Sequence, residues 1–139
     1  MAFKILIADD DSQILEVLSK RLIQEGYETV TALDGDDALN KIKKDDPDLI
    51  ILDIMMPGKN GFDILKEIKS HPTSSKWQPV IIVSAKNQFE DIKKGYDLEA
   101  DYYITKPCSL DNFVKGVKTM ISLIPLRTTG QTKSEVKDK

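Results

Sequence analysis

Short apolar runs recur along this chain, and each is followed by a stretch in which apolar residues have helical spacing. The three clearest runs are FKILIA at 3–8, DLIILDI at 48–54 and PVIIVSA at 79–85. Runs of this length and apolarity are typical of parallel strands that are buried on both faces, since helices cover both sides of such a sheet. The alternation therefore predicts an α/β fold built around a parallel sheet.

Two weaker strands bring the number of strand–helix units to five. Residues 27–33 alternate in polarity, which predicts a half-exposed edge strand, and residues 101–105 form a short strand before Lys106-Pro107. Right-handed crossovers then give a doubly wound, five-stranded parallel sheet, and the buried central runs favour the flavodoxin-like order 2-1-3-4-5. The helices are predicted over residues 12–25, 34–45, 62–71, 88–94 and 110–124. The fourth of them is expected to bury Phe89 and Ile92.

The chain is long enough for one ordinary domain, which we place at residues 1–124. Pro125 is predicted to end the last helix, because proline has no N–H to donate and its ring crowds the preceding turn. Residues 125–139 are polar and lack periodicity, so we expect them to form a disordered tail or linker.

Charge and composition exclude several classes of protein. The formal net charge is −3, and the acidic excess lies in residues 1–124. An acidic body repels phosphate backbones, so we expect no direct binding to nucleic acid. The chain has no apolar run near the roughly 18 residues of a membrane span and no signal-peptide layout at its N-terminus. Its single cysteine, Cys108, fits a reducing compartment, and we expect a cytoplasmic protein that does not contact membranes.

Unusual polar residues follow four of the five predicted strands: Asp9-Asp10-Asp11, Asp53, Ser84 and Lys106. The carboxyl ends of parallel strands meet at one edge, and the first and third strands are neighbours, so Asp9, Asp10 and Asp53 should converge. Three close carboxylates repel one another unless a cation neutralises them, and Mg²⁺, with Mn²⁺ as a substitute, suits such oxygen ligands. A carboxylate beside that ion and a fixed ammonium group is a suitable nucleophile for phosphoryl transfer. Taken alone, Asp9–Asp11 could instead cap the first helix.

Four segments together resemble the response-regulator receiver domain of two-component signalling, the CheY-like superfamily. They are ILIADDD, ILDIMMPGKNG, VIIVSA and YYITKP, in that order along residues 3–124. Each segment alone is a weak signal, but the set on five strand–helix units is specific. The resemblance implies a phosphoacceptor protein that acts on itself rather than an enzyme with a separate substrate.

The resemblance also implies roles for individual residues. Asp53 would be the phosphoacceptor, and Lys106 would pair with the phosphoryl oxygens. Asp10 would bind Mg²⁺ directly, Asp9 mainly through water, and Met55 through its backbone carbonyl.

The output of such a domain is a change of surface. The resemblance implies that the hydroxyl of Ser84 moves onto the new phosphoryl group and that the ring of Tyr103 then turns inward. The bond before Pro107 would be cis, which directs Lys106 inward. The affected surface would comprise the fourth helix, fifth strand and fifth helix. The expected partners are a sensor histidine kinase or phosphotransfer protein, a downstream protein target and, on phosphorylation, a second copy of the chain.

Three residues depart from the family pattern. Cys108 stands where Phe is usual, and Tyr102 replaces a common acidic residue. Glu99 stands where Gly is usual; if the position needs a positive φ, Glu costs about 1–2 kcal/mol there. These departures affect the partner surface more than the phosphorylation chemistry.

Three other interpretations remain open. The chain could be a receiver fragment of a longer multidomain regulator or hybrid kinase. It could be an Asp-nucleophile phosphohydrolase of the haloacid-dehalogenase type, although that class needs Asp-x-Asp and this chain has Asp53-Ile54-Met55. A flavin or nucleotide binder on the same fold would need a phosphate-cradling loop after the first strand, where this chain has three aspartates.

Overall fold

Five strands alternate with five helices in the computed structural model, which describes the backbone of residues 2–72 and 74–136 and side chains as far as residue 124. The strands are β1 (Lys4–Ala8), β2 (Glu28–Ala32), β3 (Leu49–Leu52), β4 (Val80–Ser84) and β5 (Tyr102–Thr105). The helices are α1 (Ser12–Gln24), α2 (Gly35–Asp45), α3 (Gly61–Ser70), α4 (Phe89–Asp97) and α5 (Leu110–Val136).

All strand pairs are parallel, and the sheet has the order β2-β1-β3-β4-β5. The predicted doubly wound topology is therefore confirmed. Ala8 pairs in register with Leu52, so β1 and β3 end side by side. Ser84 pairs with Thr105, which brings the ends of β4 and β5 to the same edge of the sheet.

Alternate residues of each central strand face opposite layers of the core. Leu6 and Ile50 point into the layer that α2, α3 and α4 cover, and Ile5 and Ile51 point into the layer under α1 and α5. Burial on both faces explains why the central strands are continuous apolar runs in the sequence. The polar groups of these strands therefore lie only at the strand ends.

Side chains close the N-termini of four helices. Asp11 accepts hydrogen bonds from the N–H groups of Gln13 and Ile14 at the start of α1. The same role falls to Asp34 before α2, to Asn60 before α3 and to Ser109 before α5. Of the three consecutive aspartates, Asp11 is thus the capping residue, which leaves Asp9 and Asp10 for the strand edge.

The buried position predicted for Phe89 is wrong. Its side chain is 73% exposed, although Ile92 packs against the core as expected. Residues 85–90 are all exposed, so the first turn of α4 lies outside the core and its inward contacts begin at Ile92. The short apolar pattern of this helix could not show at which residue its packing against the core begins.

The predicted end of the last helix at Pro125 is also wrong, because α5 continues to Val136. A proline removes one backbone hydrogen bond and crowds the preceding turn, but the remaining bonds of a 27-residue helix do not depend on that donor. That residues 125–139 serve as a tail or linker stays a prediction, and residues 137–139 lie outside the described residues.

Candidate functional site

The ends of β1 and β3 bring three carboxylates together. Asp53 follows β3, and its N–H donates to the carbonyl of Ala8 at 2.9 Å, so the backbone pairing continues past the strands. Asp9 and Asp10 follow β1 directly. Carboxylate oxygens of Asp9, Asp10 and Asp53 lie within 4.8 Å of one another. The structure thus places the three predicted metal-binding aspartates at one point of the sheet edge.

Lys106 reaches this group from the end of β5. Its Nζ lies 2.8 Å from Asp9 Oδ2 and 2.9 Å from Asp53 Oδ2. Its own N–H donates to the carbonyl of Ser84 at 2.8 Å, and its peptide bond to Pro107 is cis, as expected. The two carboxylates that it bridges are buried, at 3% and 6% exposure, whereas Asp10 is exposed.

Backbone donors fix the second oxygen of each buried carboxylate. The N–H of Asp11 donates to Asp9 Oδ1, and the N–H of Met55 donates to Asp53 Oδ1, each at 3.0 Å. Every oxygen of this pair thus has one donor from the protein. Since a carboxylate oxygen has a further lone pair, each can still face an ion or a phosphoryl group.

The electrostatics of the group follow from its burial and its excess of negative charge. Burial and the neighbouring Asp53 raise the pKa of Asp9 above its usual value, against the lowering effect of Lys106. Burial alone would lower the pKa of Lys106, but its hydrogen bonds to Asp9 and Asp53 outweigh burial and raise the pKa. The lysine is therefore firmly cationic, and one cation is too few for three carboxylates.

These residues fit a hard divalent cation. Mg²⁺ takes oxygen ligands at about 2.0–2.1 Å, so oxygens on opposite sides of the ion lie roughly 4 Å apart. Oxygens of Asp9, Asp10 and Asp53 that lie within 4.8 Å of one another need only small side-chain adjustments to bind one such ion. Asp10 and Met55 also line an open cleft of about 430 Å³, which gives an ion or phosphoryl donor a way in. That the Met55 carbonyl is a ligand stays a prediction.

Ser84 and Tyr103 both contact Lys86, in the loop after β4. The hydroxyl of the fully buried Ser84 accepts from the N–H of Lys86 at 3.3 Å. The Tyr103 hydroxyl donates to the Lys86 carbonyl, and its ring is 8% exposed. Burial raises the pKa of Tyr103 to about 12, with a smaller contribution from Asp91 and Asp53. The structure thus links the two predicted switch residues through one loop residue.

The three departures from the family pattern have distinct positions. Glu99 has a φ of +74°, so this position does have the left-handed backbone in which a residue with a Cβ is strained. Cys108 is exposed as a residue, but partial desolvation of its thiol, opposed by the charge of Lys106, raises its pKa. Tyr102 is exposed on β5.

Sequence reasoning missed Gly61 as a residue of the site. A Cβ at this position would lie 2.5 Å from the carbonyl oxygen of Asp53, so only glycine lets α3 begin directly against the backbone of Asp53. The turn-rich segment MMPGKNG contained the signal, but the sequence alone could not show which of its two glycines makes the contact.

A comparison with protein families identifies the family of this chain. The sequence model of the response regulator receiver domain matches residues 5–118. The chain belongs to this family. The matched range includes β2 to β5 and all but the first residue of β1, and Asp9, Asp10, Asp53, Ser84, Tyr103 and Lys106 all lie within it.

Solved structures of other receivers have the same fold. A CheY-like receiver domain protein from Methanospirillum hungatei is 27% identical over 91% of this chain and 99% of its own, with a TM-score of 0.83. The receiver domain of the Francisella response regulator 1452 is 32% identical over 91% and 98%, with a TM-score of 0.78. A chain in the CheX–CheY–BeF3–Mg²⁺ complex from Borrelia burgdorferi is 28% identical over 86% and 89%, also at 0.78.

Within the part of the chain that the structure describes, no helix combines the length and hydrophobicity needed to cross a bilayer. The long helix α5 carries polar residues throughout its second half.

Proposed function

We propose that this receiver domain accepts a phosphoryl group on Asp53 and thereby changes the surface of α4, β5 and α5 that a partner protein reads. The observation that carries the proposal is the Lys106 ammonium bridging two buried carboxylates, Asp9 and Asp53, at 2.8 and 2.9 Å. A bridging lysine of this kind neutralises part of the group and stands where phosphoryl oxygens would arrive.

The chemical step is a displacement at phosphorus. One carboxylate oxygen of Asp53 bonds to the phosphorus, and the bond from phosphorus to the donor's nitrogen or oxygen breaks. The products are an acyl phosphate on Asp53 and the released donor. Lys106 would move its hydrogen bonds from the carboxylates to the transferred oxygens. Mg²⁺, when held by Asp9, Asp10, Asp53 and the Met55 carbonyl, supplies further positive charge beside those oxygens.

The output would pass through the loop after β4. A phosphoryl group on Asp53 attracts the Ser84 hydroxyl, and Ser84 is tied to Lys86, whose carbonyl accepts from Tyr103. Tyr103 lies on β5 against α4, so a shift of this loop would reach the partner surface.

The partners that fit are a sensor histidine kinase or phosphotransfer protein as donor and a protein as target, in the cytoplasm. A phosphorylation-dependent homodimer through the same surface is a second form of output. The similar chain from Borrelia burgdorferi was solved in a complex that contains CheX, CheY, BeF3 and Mg²⁺, and this supports both a protein partner and a magnesium ion for the present chain. We propose that the domain does not turn over a separate substrate and that it contacts neither nucleic acid nor membranes.

Intact-mass spectrometry after incubation with acetyl phosphate and Mg²⁺ tests the proposal. We expect wild type to gain one phosphoryl group, with no gain in Asp53→Asn or with a chelator present. Asp36→Asn, which removes an exposed carboxylate from α2, should be phosphorylated like wild type. An adduct that persists in folded Asp53→Asn, or no adduct in wild type with any donor including a histidine kinase, would overturn the proposal.

A further inference from the structure

The N-terminus of α2 lies in direct backbone contact with the loop that follows Asp53. Gly35 is the first residue of α2 and is buried. A Cβ placed on it would lie 2.1 Å from the carbonyl oxygen of Lys59 and 2.7 Å from the Lys59 Cβ. Contacts this short with backbone atoms cannot be relieved by turning a side chain. Any residue other than glycine must therefore move α2 away from the loop, or the loop away from α2.

The loop in question, residues 54–60, is folded tightly onto Asp53. The N–H groups of Met56 and Gly61 both donate to the carbonyl of Ile54, at 3.0 and 3.1 Å. Gly58 has a φ of +73°, which lets the chain reverse. At the far end, Gly61 touches the Asp53 carbonyl so closely that a Cβ there would lie 2.5 Å from it.

Lys59 thus lies between two close contacts. On one side the loop leads through Gly61 to the backbone of Asp53, and on the other side Gly35 supports it from α2. Asp34 fixes where α2 begins, because its Oδ1 accepts from the N–H of Asp37 at 2.8 Å. A displacement at Lys59 would therefore act through Gly61 on the backbone of Asp53 and Ile54, which Gly61 contacts directly.

We propose that Gly35 is a positioning residue for the phosphoacceptor site. Its lack of a side chain allows α2 to hold the loop 54–60 at the distance from which the Asp53 carboxylate and the Met55 carbonyl would bind one cation. Gly35 touches neither the ion nor the phosphoryl group and acts through the backbone of Lys59. The inference rests on the proposed function, because it assigns a support to that same site.

The test is the Mg²⁺ affinity of purified Gly35→Ala, measured by titration calorimetry and compared with Gly26→Ala. Gly26 has a φ of +98° and nothing within 4 Å of a Cβ, so alanine strains the chain there without touching the site. Both variants should lose thermal stability. Only Gly35→Ala should lose Mg²⁺ affinity, by roughly tenfold or more, as for other residues that orient metal ligands. A Mg²⁺ affinity equal to that of Gly26→Ala would overturn the inference.

A second variant covers the case in which Gly35→Ala does not fold. In Gly35→Ala/Lys59→Gly the clash with the Lys59 Cβ is absent and the loop is freer to withdraw. We expect this variant to fold with weakened Mg²⁺ binding, and Lys59→Gly alone to bind nearly as wild type does. Wild-type affinity in the folded double variant would overturn the inference. Failure of the proposed function is distinguishable, because wild type itself would then take up no phosphoryl group.

Discussion

Glu99 is the residue at which local geometry and amino-acid type disagree most clearly. It follows the C-terminal cap of α4, and with a φ of +74° it occupies the left-handed position that usually holds glycine. Its N–H donates to Tyr96, and the N–H of Ala100 donates to Gly95, so the backbone closes the helix in the expected way. The sequence alone could not show whether position 99 has a positive φ, because no pattern of residue types reports the sign of φ.

Replacing Glu99 with glycine should stabilise the domain. Left-handed backbone costs a residue with a Cβ about 1–2 kcal/mol, and glycine's greater freedom in the unfolded chain offsets part of the gain. We therefore expect a net increase of about 0.5–1 kcal/mol in the free energy of unfolding, measured by urea denaturation. Glu99→Ala is the control, because it removes the carboxylate and keeps the Cβ. Equal stability of the two variants would contradict the prediction.

At the scale of elements, α4 is the helix whose position the sequence predicted least well. The prediction ended it at residue 94 and buried Phe89, whereas it runs Phe89–Asp97 and its buried residue is Gly95. Gly95 faces the ring of Tyr103: a Cβ there would lie 3.0 Å from Cδ2 and 3.2 Å from Cε2. A contact made by the absence of a side chain leaves no mark in a hydrophobic pattern, so sequence periodicity could not reveal it.

Gly95→Ala should displace the ring of Tyr103 towards solvent. Its pKa, raised to about 12 mainly by burial, should then fall towards the ordinary value of 10.0, as ultraviolet titration against Tyr103→Phe would show. The same shift makes wild type lose stability as the pH rises from about 10 to 12, because the unfolded tyrosine ionises first. That loss should be smaller in Gly95→Ala.

The control for this experiment is Gly116→Ala on α5. Its Cβ would meet the ring of Tyr102 at 3.0 Å and leave the contact between Gly95 and Tyr103 intact. We expect the pKa of Tyr103 to be unchanged in this variant. A Tyr103 pKa that stays near 12 in Gly95→Ala would show that the ring tolerates the added methyl group without leaving its position.

At the scale of the whole molecule, the features that depend on burial and strand order could be predicted from the sequence. Five strand–helix units, three of them with clear apolar strands, were enough to predict the topology. That topology brought Asp9 and Asp53 to one edge without any side-chain information. The sequence did not predict the close backbone packing at Gly35 and Gly61, and it did not predict that α5 extends beyond Pro125. Those features depend on the distances between elements, which residue spacing along the chain does not encode.

The cost of the acidic group should be measurable in the stability of the whole domain. Asp10 is the exposed member of three carboxylates within 4.8 Å, so Asp10→Asn should relieve repulsion and raise the thermal midpoint in the absence of metal. Unit charges about 4 Å apart in water interact by about 1 kcal/mol, which corresponds to a few degrees for a domain of this size. Glu16→Gln, the same charge change on α1, should give a smaller rise.

Saturating Mg²⁺ should reverse the order of the thermal midpoints, so that wild type and Glu16→Gln unfold at a higher temperature than Asp10→Asn. A ligand at 100 times its dissociation constant stabilises the folded state by about 2.7 kcal/mol. Wild type and Glu16→Gln should therefore gain several degrees in saturating Mg²⁺, while Asp10→Asn, having lost a ligand, gains little. Thermal unfolding with and without Mg²⁺ measures both effects. If Asp10→Asn kept the full gain, the ion would be bound elsewhere; if wild type gained nothing, the three carboxylates would repel one another without a metal to compensate.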